Sequence, residues 1–273
     1  MTPNEKPKGL PPRVDTPTLM TRSDRSYGLT YKLFEAAHCV TPPPAVCLPV
    51  DRKWFQGSSL KCEDAFSASI EEGKVVGDCF VFTPDGELII DSGPSYPFSV
   101  ERHLDLDHAE QLYSSLPTPV QIDGRVLVLN SFGPWNYYHW TLDIITKLDM
   151  VDLSTIDLVW THSDCSFQRE YLSAFGIGPD KIITAKRIAY WQARELVYTS
   201  AHPRRAASVD FLRSTASELF GVELQNGAHR RLYISRRDAA GRQVVSNDEV
   251  LECLRPLGFE EVVLSDLGVQ EQM

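Results

Sequence analysis

The chain has 273 residues, of which 42% are hydrophobic and 23% charged, a composition typical of a globular protein with room for two domains. The formal net charge of −10 argues against non-specific binding to nucleic acid or anionic lipid. No apolar run reaches the roughly 20 residues that span a bilayer, and the N-terminus lacks the apolar core of a signal peptide. We therefore expect a cytoplasmic protein without a transmembrane segment.

The six cysteines are scattered, with no C-x-x-C pair and no histidine at a zinc-like spacing. This pattern predicts neither a metal knuckle nor a redox motif, and free thiols are the default expectation. A disulfide among Cys39, Cys47, Cys62 and Cys79 is the alternative, although it would be unusual in a reducing compartment.

The first third of the chain predicts a tail followed by a β-rich unit. Residues 1–26 hold five prolines and few large apolar groups, so we expect them to be disordered. Residues 27–120 carry short β-like runs separated by turn residues. Within them, Thr83-Pro-Asp-Gly86 lies between two apolar runs and predicts a hairpin.

An Asp-x-Asp pattern lies within His103-Leu-Asp-Leu-Asp-His108 and suggests a divalent-cation site. As a strand, this segment would place His103, Asp105 and Asp107 on one face. The competing interpretation is a solvated, charge-rich connector, and we favour it. We therefore expect no bound metal.

From residue 121 the hydrophobic period changes to alternating strands and helices, which predicts a parallel sheet covered on both faces and an α/β fold class. Up to residue 228 we expect strands at 125–129, 157–160, 181–183 and 195–198, with helices at 135–150, 166–175 and 207–220. A second unit over 229–273 contains a strand at 231–235, a helix at 246–255, a strand at 261–264 and a helix starting near Gly268. Because so few elements cannot form an independently stable sheet, this unit is expected to be truncated.

The segment from Asn130 to Asp143 passes from a buried strand through a Gly-Pro corner into a helix with an unusual polar stripe. At about 100° per residue, Asn136, His139 and Asp143 fall within an arc of roughly 60°. Trp140 and Lys147 flank this stripe. The alternative is a surface His-Asp pair that stabilises a helix by about 0.3 kcal/mol.

Several nucleotide and hydrolase motifs are absent from the sequence. No G-x-G-x-x-G follows a strand, and neither a P-loop nor a G-x-S-x-G elbow occurs. These absences argue against dinucleotide dehydrogenases, P-loop nucleotidases and the usual α/β hydrolases.

Four segments, in order, resemble the family 61 glycosyltransferases, which include capsular-polysaccharide enzymes of bacteria. They are Asn136-Tyr-Tyr-His-Trp-x-x-Asp143, Leu232-Tyr-Ile-Ser-Arg-Arg-Asp238, Val245-Ser-Asn-Asp-Glu-Val250 and Leu257-Gly-Phe259. The resemblance implies a GT-B architecture, with 121–228 as one Rossmann-like domain and 229–273 as the start of the second. It also implies inverting, metal-independent transfer from a nucleotide sugar to a glycan acceptor, with no other cofactor; the oligomeric state stays open.

Such a transfer needs a base for the acceptor hydroxyl and groups that neutralise the leaving diphosphate, and the sequence offers candidates for both. His139 or Asp143 would act as the base or orient it, and Asn136 would hold a sugar or acceptor hydroxyl. Arg236 and Arg237 would bind the diphosphate in place of a metal, unless they form only a solvated strand end.

The expected faces for a sugar are three aromatic rings, those of Trp135, Tyr137 and Trp140. In the family, the segment that begins at Asp266 continues into a glycine-rich part of the donor domain that this sequence lacks. The alternative function is therefore a catalytically inactive fragment that binds an acceptor or a partner.

Overall fold

A computed structural model describes residues 12–22, 27–40, 60–77, 79–92, 116, 118–131, 133–186, 189–200, 206–222, 230–239, 241 and 243–273. The strands are β1 (Arg13–Val14), β2 (Thr30–Glu35), β3 (His38–Val40), β4 (Leu60–Cys62), β5 (Ala65–Glu71), β6 (Lys74–Val76), β7 (Phe80–Phe82), β8 (Leu88–Ile89), β9 (Val120–Val128), β10 (Leu158–Thr161), β11 (Ile182–Thr184), β12 (Tyr190–Thr199), β13 (Arg231–Ser235) and β14 (Phe259–Val263).

The α-helices are α1 (Thr16–Thr21), α2 (Tyr137–His139), α3 (Ser166–Ala174), α4 (Ala206–Glu218), α5 (Asn247–Leu254) and α6 (Val269–Gln272). A π-helix (Trp140–Ile144) and a 3-10 helix (Ile145–Met150) follow α2 directly, and we call 137–150 the site helix. Shorter 3-10 turns cover Leu153–Thr155, Pro179–Lys181, Arg255–Leu257 and Leu264–Asp266.

Among the described residues, ten strands form one mixed sheet, which confirms the predicted α/β class. Strands β12, β9, β10 and β11 lie side by side and are all parallel, as the alternation of strands and helices predicts. The second half of β9 is buried on both faces. Val126 and Val128 belong to the core on one side of the sheet, whereas Leu127 and Leu129 belong to the core on the other.

The change of hydrophobic period near residue 121 does not divide this sheet. Strand β12 pairs with β9 on one side and, antiparallel, with β5 and β6 on the other. The β-rich portion 27–120 and the α/β portion 121–228 therefore share one sheet. The predicted hairpin is confirmed, because β7 and β8 pair across the Thr83–Gly86 turn.

The expectation of a disordered tail is wrong for residues 12–22. Strand β1 pairs with β8, and Val14 and Leu19 are buried in the core. The Thr16 backbone N–H and hydroxyl donate to the Asp91 carboxylate at 2.8 and 2.9 Å. The free energy of these contacts offsets the entropy lost when residues 12–22 become ordered. The amino-acid composition of the segment gave no sign of them. Residues 1–11 and 23–26 lie outside the described residues.

The C-terminal segment forms a separate β-α-β unit in which α5 connects the parallel strands β13 and β14. Helix α6 then packs on the larger unit, where Val269 is fully buried and its backbone N–H donates to Glu170 Oε2 at 2.7 Å. The segment is therefore attached to the larger unit through α3.

Cys39, Cys62, Cys165 and Cys253 are free thiols, Cys79 is buried, and Cys47 lies outside the described residues. Within the same residues, no helix has the length and apolar character needed to cross a membrane.

Leu19→Ala tests the docking of the N-terminal segment. We expect it to lower the free energy of unfolding by about 2–3 kcal/mol, because the side chain is 3% exposed and its removal leaves a cavity. Met20→Ala is the matched control: this neighbour is 51% exposed, so the change should stay within about 0.5 kcal/mol. Equal, negligible effects in denaturant unfolding would show that the segment is not docked.

Candidate active site

The site helix follows the loop at the carboxyl end of β9, the edge of a parallel sheet where ligands of α/β proteins usually bind. Asn136 caps it, because its side-chain Oδ1 accepts a hydrogen bond from the Tyr138 backbone N–H at 2.9 Å. The expectation of a single α-helix over 135–150 is corrected, because this segment contains a π turn. The Ile145 backbone N–H donates to the Trp140 carbonyl, five residues earlier in the chain. Such turns are frequent at functional sites.

His139 and Asp143 form the central contact of the site. His139 Nδ1 lies 2.7 Å from Asp143 Oδ2, so the two side chains are hydrogen-bonded. The histidine side chain is 21% exposed and the carboxylate only 2%. A carboxylate can only accept, so Nδ1 carries the proton and, in the neutral ring, Nε2 keeps its lone pair. The burial of Asp143 excludes the simple surface pair.

Gly133 brings the loop before the site helix against the histidine ring. Its φ of +73° is in the left-handed region that glycine favours. A Cβ at this position would lie 3.2 Å from His139 Cδ2, closer than ordinary van der Waals contact. The loop and the Asp143 carboxylate thus restrict the imidazole from two directions.

Lys147 is the residue whose importance the sequence did not reveal. It is 2% exposed, and its Nζ donates to the Asn130 backbone carbonyl at 2.6 Å. Burial lowers the pKa of Lys147 to about 8, against the opposing effects of Cys79 and Asp143. The signal in the sequence is the spacing: His139, Asp143 and Lys147 follow one another at intervals of four residues.

The aromatic residues divide in a way that the sequence did not predict. Trp140 is fully buried, with its ring edge-on to Phe167 at 6.2 Å, so it cannot present a face to a sugar, and this expectation is corrected. Tyr137 is half-buried against the same phenylalanine. Trp135 is 64% exposed. Tyr138 is also exposed and contacts the His139 ring edge-on at 5.4 Å.

The two candidate arginines follow β13 and differ in their contacts. Arg237 Nη1 forms an ion pair with Glu261 Oε2 at 3.2 Å. Arg236 Nη2 makes a long hydrogen bond of 3.4 Å to the Gly241 carbonyl. Asp238, at the same strand end, has its pKa lowered mainly by the hydrogen bond from Ser265 and less by the two guanidinium charges. The arginines thus lie on the small sheet, whereas His139 and Asp143 belong to the large one.

The expected alternative metal site lies outside the described residues, because His103, Asp105, Asp107 and His108 all fall in an undescribed range. Within the described ranges, no group of three His, Cys, Asp or Glu side chains is placed to hold a metal ion.

Comparison with known proteins gives one finding: the family model of glycosyltransferase 61 matches residues 137–273, about half of the chain. The chain therefore belongs to glycosyltransferase family 61, which confirms the resemblance. No curated protein and no solved structure matches the chain. The matched segment begins with the site helix and contains His139, Asp143 and both arginines.

Gly133→Ala tests whether the loop positions the imidazole. We expect it to reduce kcat for glycosyl transfer by about tenfold or more, because a small displacement of a reacting group is costly. Gly176→Ala is matched to it: Gly176 has the same φ of +73°, and nothing lies within 4 Å of its added Cβ. Both variants should lose about 1 kcal/mol of stability to backbone strain. Equal kcat values for the two variants would contradict the positioning role.

Proposed function

We propose that this chain is an inverting glycosyltransferase that transfers a sugar from a nucleotide-sugar donor to a hydroxyl of a glycan, in polysaccharide biosynthesis of the bacterial capsular type. The family supplies the reaction class, glycosyl transfer. The single observation that supports the mechanism is the His139–Asp143 hydrogen bond, which combines a partly exposed imidazole with a buried carboxylate.

In this proposal His139 is the base. An acceptor hydroxyl attacks the anomeric carbon from the face opposite the leaving group, and Nε2 takes the hydroxyl proton. The new C–O bond forms as the bond to the diphosphate oxygen breaks, and the diphosphate leaves with the electron pair. Asp143 is the less suitable base, because it is 2% exposed and already accepts the Nδ1 proton. Its role is to fix the tautomer and stabilise the imidazolium that forms.

The acceptor side is proposed to include Asn136 and exposed aromatic surface beside His139. The Asn136 Oδ1 is used as the helix cap, so the group it offers to a hydroxyl is the amide Nδ2. Trp135 and Tyr138 are exposed enough to offer ring surface to a sugar, and Tyr137 offers an edge at most.

The donor side is proposed to be the β13-α5-β14 unit, as the beginning of the second Rossmann-like domain of a GT-B architecture. Guanidinium groups bind phosphate oxygens through paired, charge-assisted hydrogen bonds and would replace a metal ion there. Arg236 is the stronger candidate, because the ion pair with Glu261 already engages Arg237.

Substitutions at the proposed base and its partner should have different effects from substitutions at the two arginines. His139→Ala and Asp143→Asn should lower kcat by about 10²-fold and leave nucleotide-diphosphate binding nearly intact. Arg236→Ala should weaken that binding by roughly 1.5–3 kcal/mol, the value of a charge-assisted contact, and Arg237→Ala should weaken it less. Calorimetry with uridine and guanosine diphosphates measures the binding.

The control for the arginines is Arg230→Ala. Arg230 is also exposed and paired with a glutamate, Glu260, but it precedes β13 instead of following it, so its removal should not change nucleotide affinity. Equal loss of affinity in all the arginine variants, or in the His139 and Asp143 variants, would contradict the assignment of donor and acceptor sides.

Metal independence gives a further expected outcome. If the leaving diphosphate is stabilised by guanidinium groups, turnover should survive treatment with EDTA. The double variant Asp105→Ala and Asp107→Ala should then change kcat by less than about tenfold, below the usual effect of losing a reacting group. Loss of turnover in EDTA that manganese restores would instead support the Asp-x-Asp metal site.

A further inference from the structure

The ammonium group of Lys147 is buried, and the free-energy cost of removing its charge from water must be offset by other groups. Removing a charge from water is expensive unless other charges and hydrogen bonds replace the hydration. The side chain is 2% exposed, and the hydrogen bond to the Asn130 carbonyl satisfies one of the three N–H donors. A neutral carbonyl does not balance a positive charge, so a nearby anion would stabilise the charged form of the lysine.

The groups that act electrostatically on the ammonium come from two elements. Asp143 lies one turn before Lys147 on the site helix, and Cys79 lies in the turn between β6 and β7. Helix α4 packs on the same part of the site helix, and its ionisable residues Asp210, Arg213 and Glu218 are exposed to solvent. Asp143 and Lys147 are both buried and lie four residues apart on the site helix, so Asp143 is the buried carboxylate whose charge acts on the ammonium.

Resting on the proposed role of His139, we propose that Lys147 is a positioning residue that keeps the Asp143 carboxylate ionised and so fixes the His139 imidazole for proton removal. The Asn130 carbonyl accepts a hydrogen bond from the ammonium, the ammonium favours the charged form of Asp143, and the carboxylate accepts a hydrogen bond from Nδ1–H of His139. Lys147, Asp143 and His139, spaced four residues apart on the site helix, thus connect the end of β9 to Nε2 of His139, the nitrogen proposed to take the proton.

A purely structural lysine and a positioning lysine differ in their effect on pH dependence. The positive charge opposes proton uptake by the His139–Asp143 pair, because protonation would add a second positive charge nearby. Without the charge, the pair binds its proton more readily, so the pair becomes protonated at a higher pH. A lysine that only fills space would change stability without moving this transition.

The experiment compares Lys147→Met and Lys147→Gln with wild type in the full chain. We expect kcat at neutral pH to fall by about tenfold or more, with little change in KM for the donor. The acidic limb of the kcat profile should move up by about one pH unit in both variants, so that activity recovers as pH rises. Gln retains an N–H donor for the Asn130 carbonyl, so an equal change in both variants assigns the effect to charge.

Lys181→Met is the matched control, because Lys181 is an exposed lysine outside the site, and its profile should match wild type. Lower thermal stability with an unchanged acidic limb in both Lys147 variants would overturn the inference, as would a displaced limb in Lys147→Met alone. If wild type shows no transfer, or His139→Ala does not reduce it, the proposed function fails instead. NMR of the His139 ring then decides the inference, since proton uptake must occur at higher pH in Lys147→Met.

Discussion

The candidate site depends on one buried negative charge. The Asp143 carboxylate lies inside the protein, where an uncompensated charge would be strongly destabilising. It accepts a hydrogen bond from Nδ1–H of His139, and the charge of the Lys147 ammonium, four residues further along the site helix, favours its ionised form. These interactions determine which histidine nitrogen carries a proton, and hence what the partly exposed side of the ring can do.

The architecture places this charge at the carboxyl edge of the parallel strands. Strand β9 ends at Val128, and the carbonyl of Asn130, two residues later, accepts the Lys147 hydrogen bond. Gly133 then lets the loop approach the His139 ring. The central sheet thus positions the site, and the β-rich N-terminal portion contributes to that sheet through β5 and β6.

The sequence predicts local and periodic features well and non-local ones poorly. The four-residue spacing of His139 and Asp143 brings them together in any helix, so their contact was predictable. The π turn at Trp140–Ile144 leaves no recognisable pattern of apolar residues in the sequence. The sequence therefore predicted the approximate extent of the helix but not this turn within it. Burial of Trp140 depends on Phe167, a residue distant in the chain. The docking of 12–22 likewise depends on Asp91 and β8, so composition alone was misleading.

The central claim is that Asp143 fixes the tautomer of His139, and nitrogen NMR of the labelled imidazole in the full chain measures this directly. For the neutral form of the ring, we predict a proton on Nδ1 and an unprotonated Nε2, together with a downfield Nδ1 proton signal typical of a short hydrogen bond to a carboxylate. In Asp143→Asn the tautomers should mix. A proton on Nε2 with a bare Nδ1 in the wild-type protein would contradict the account.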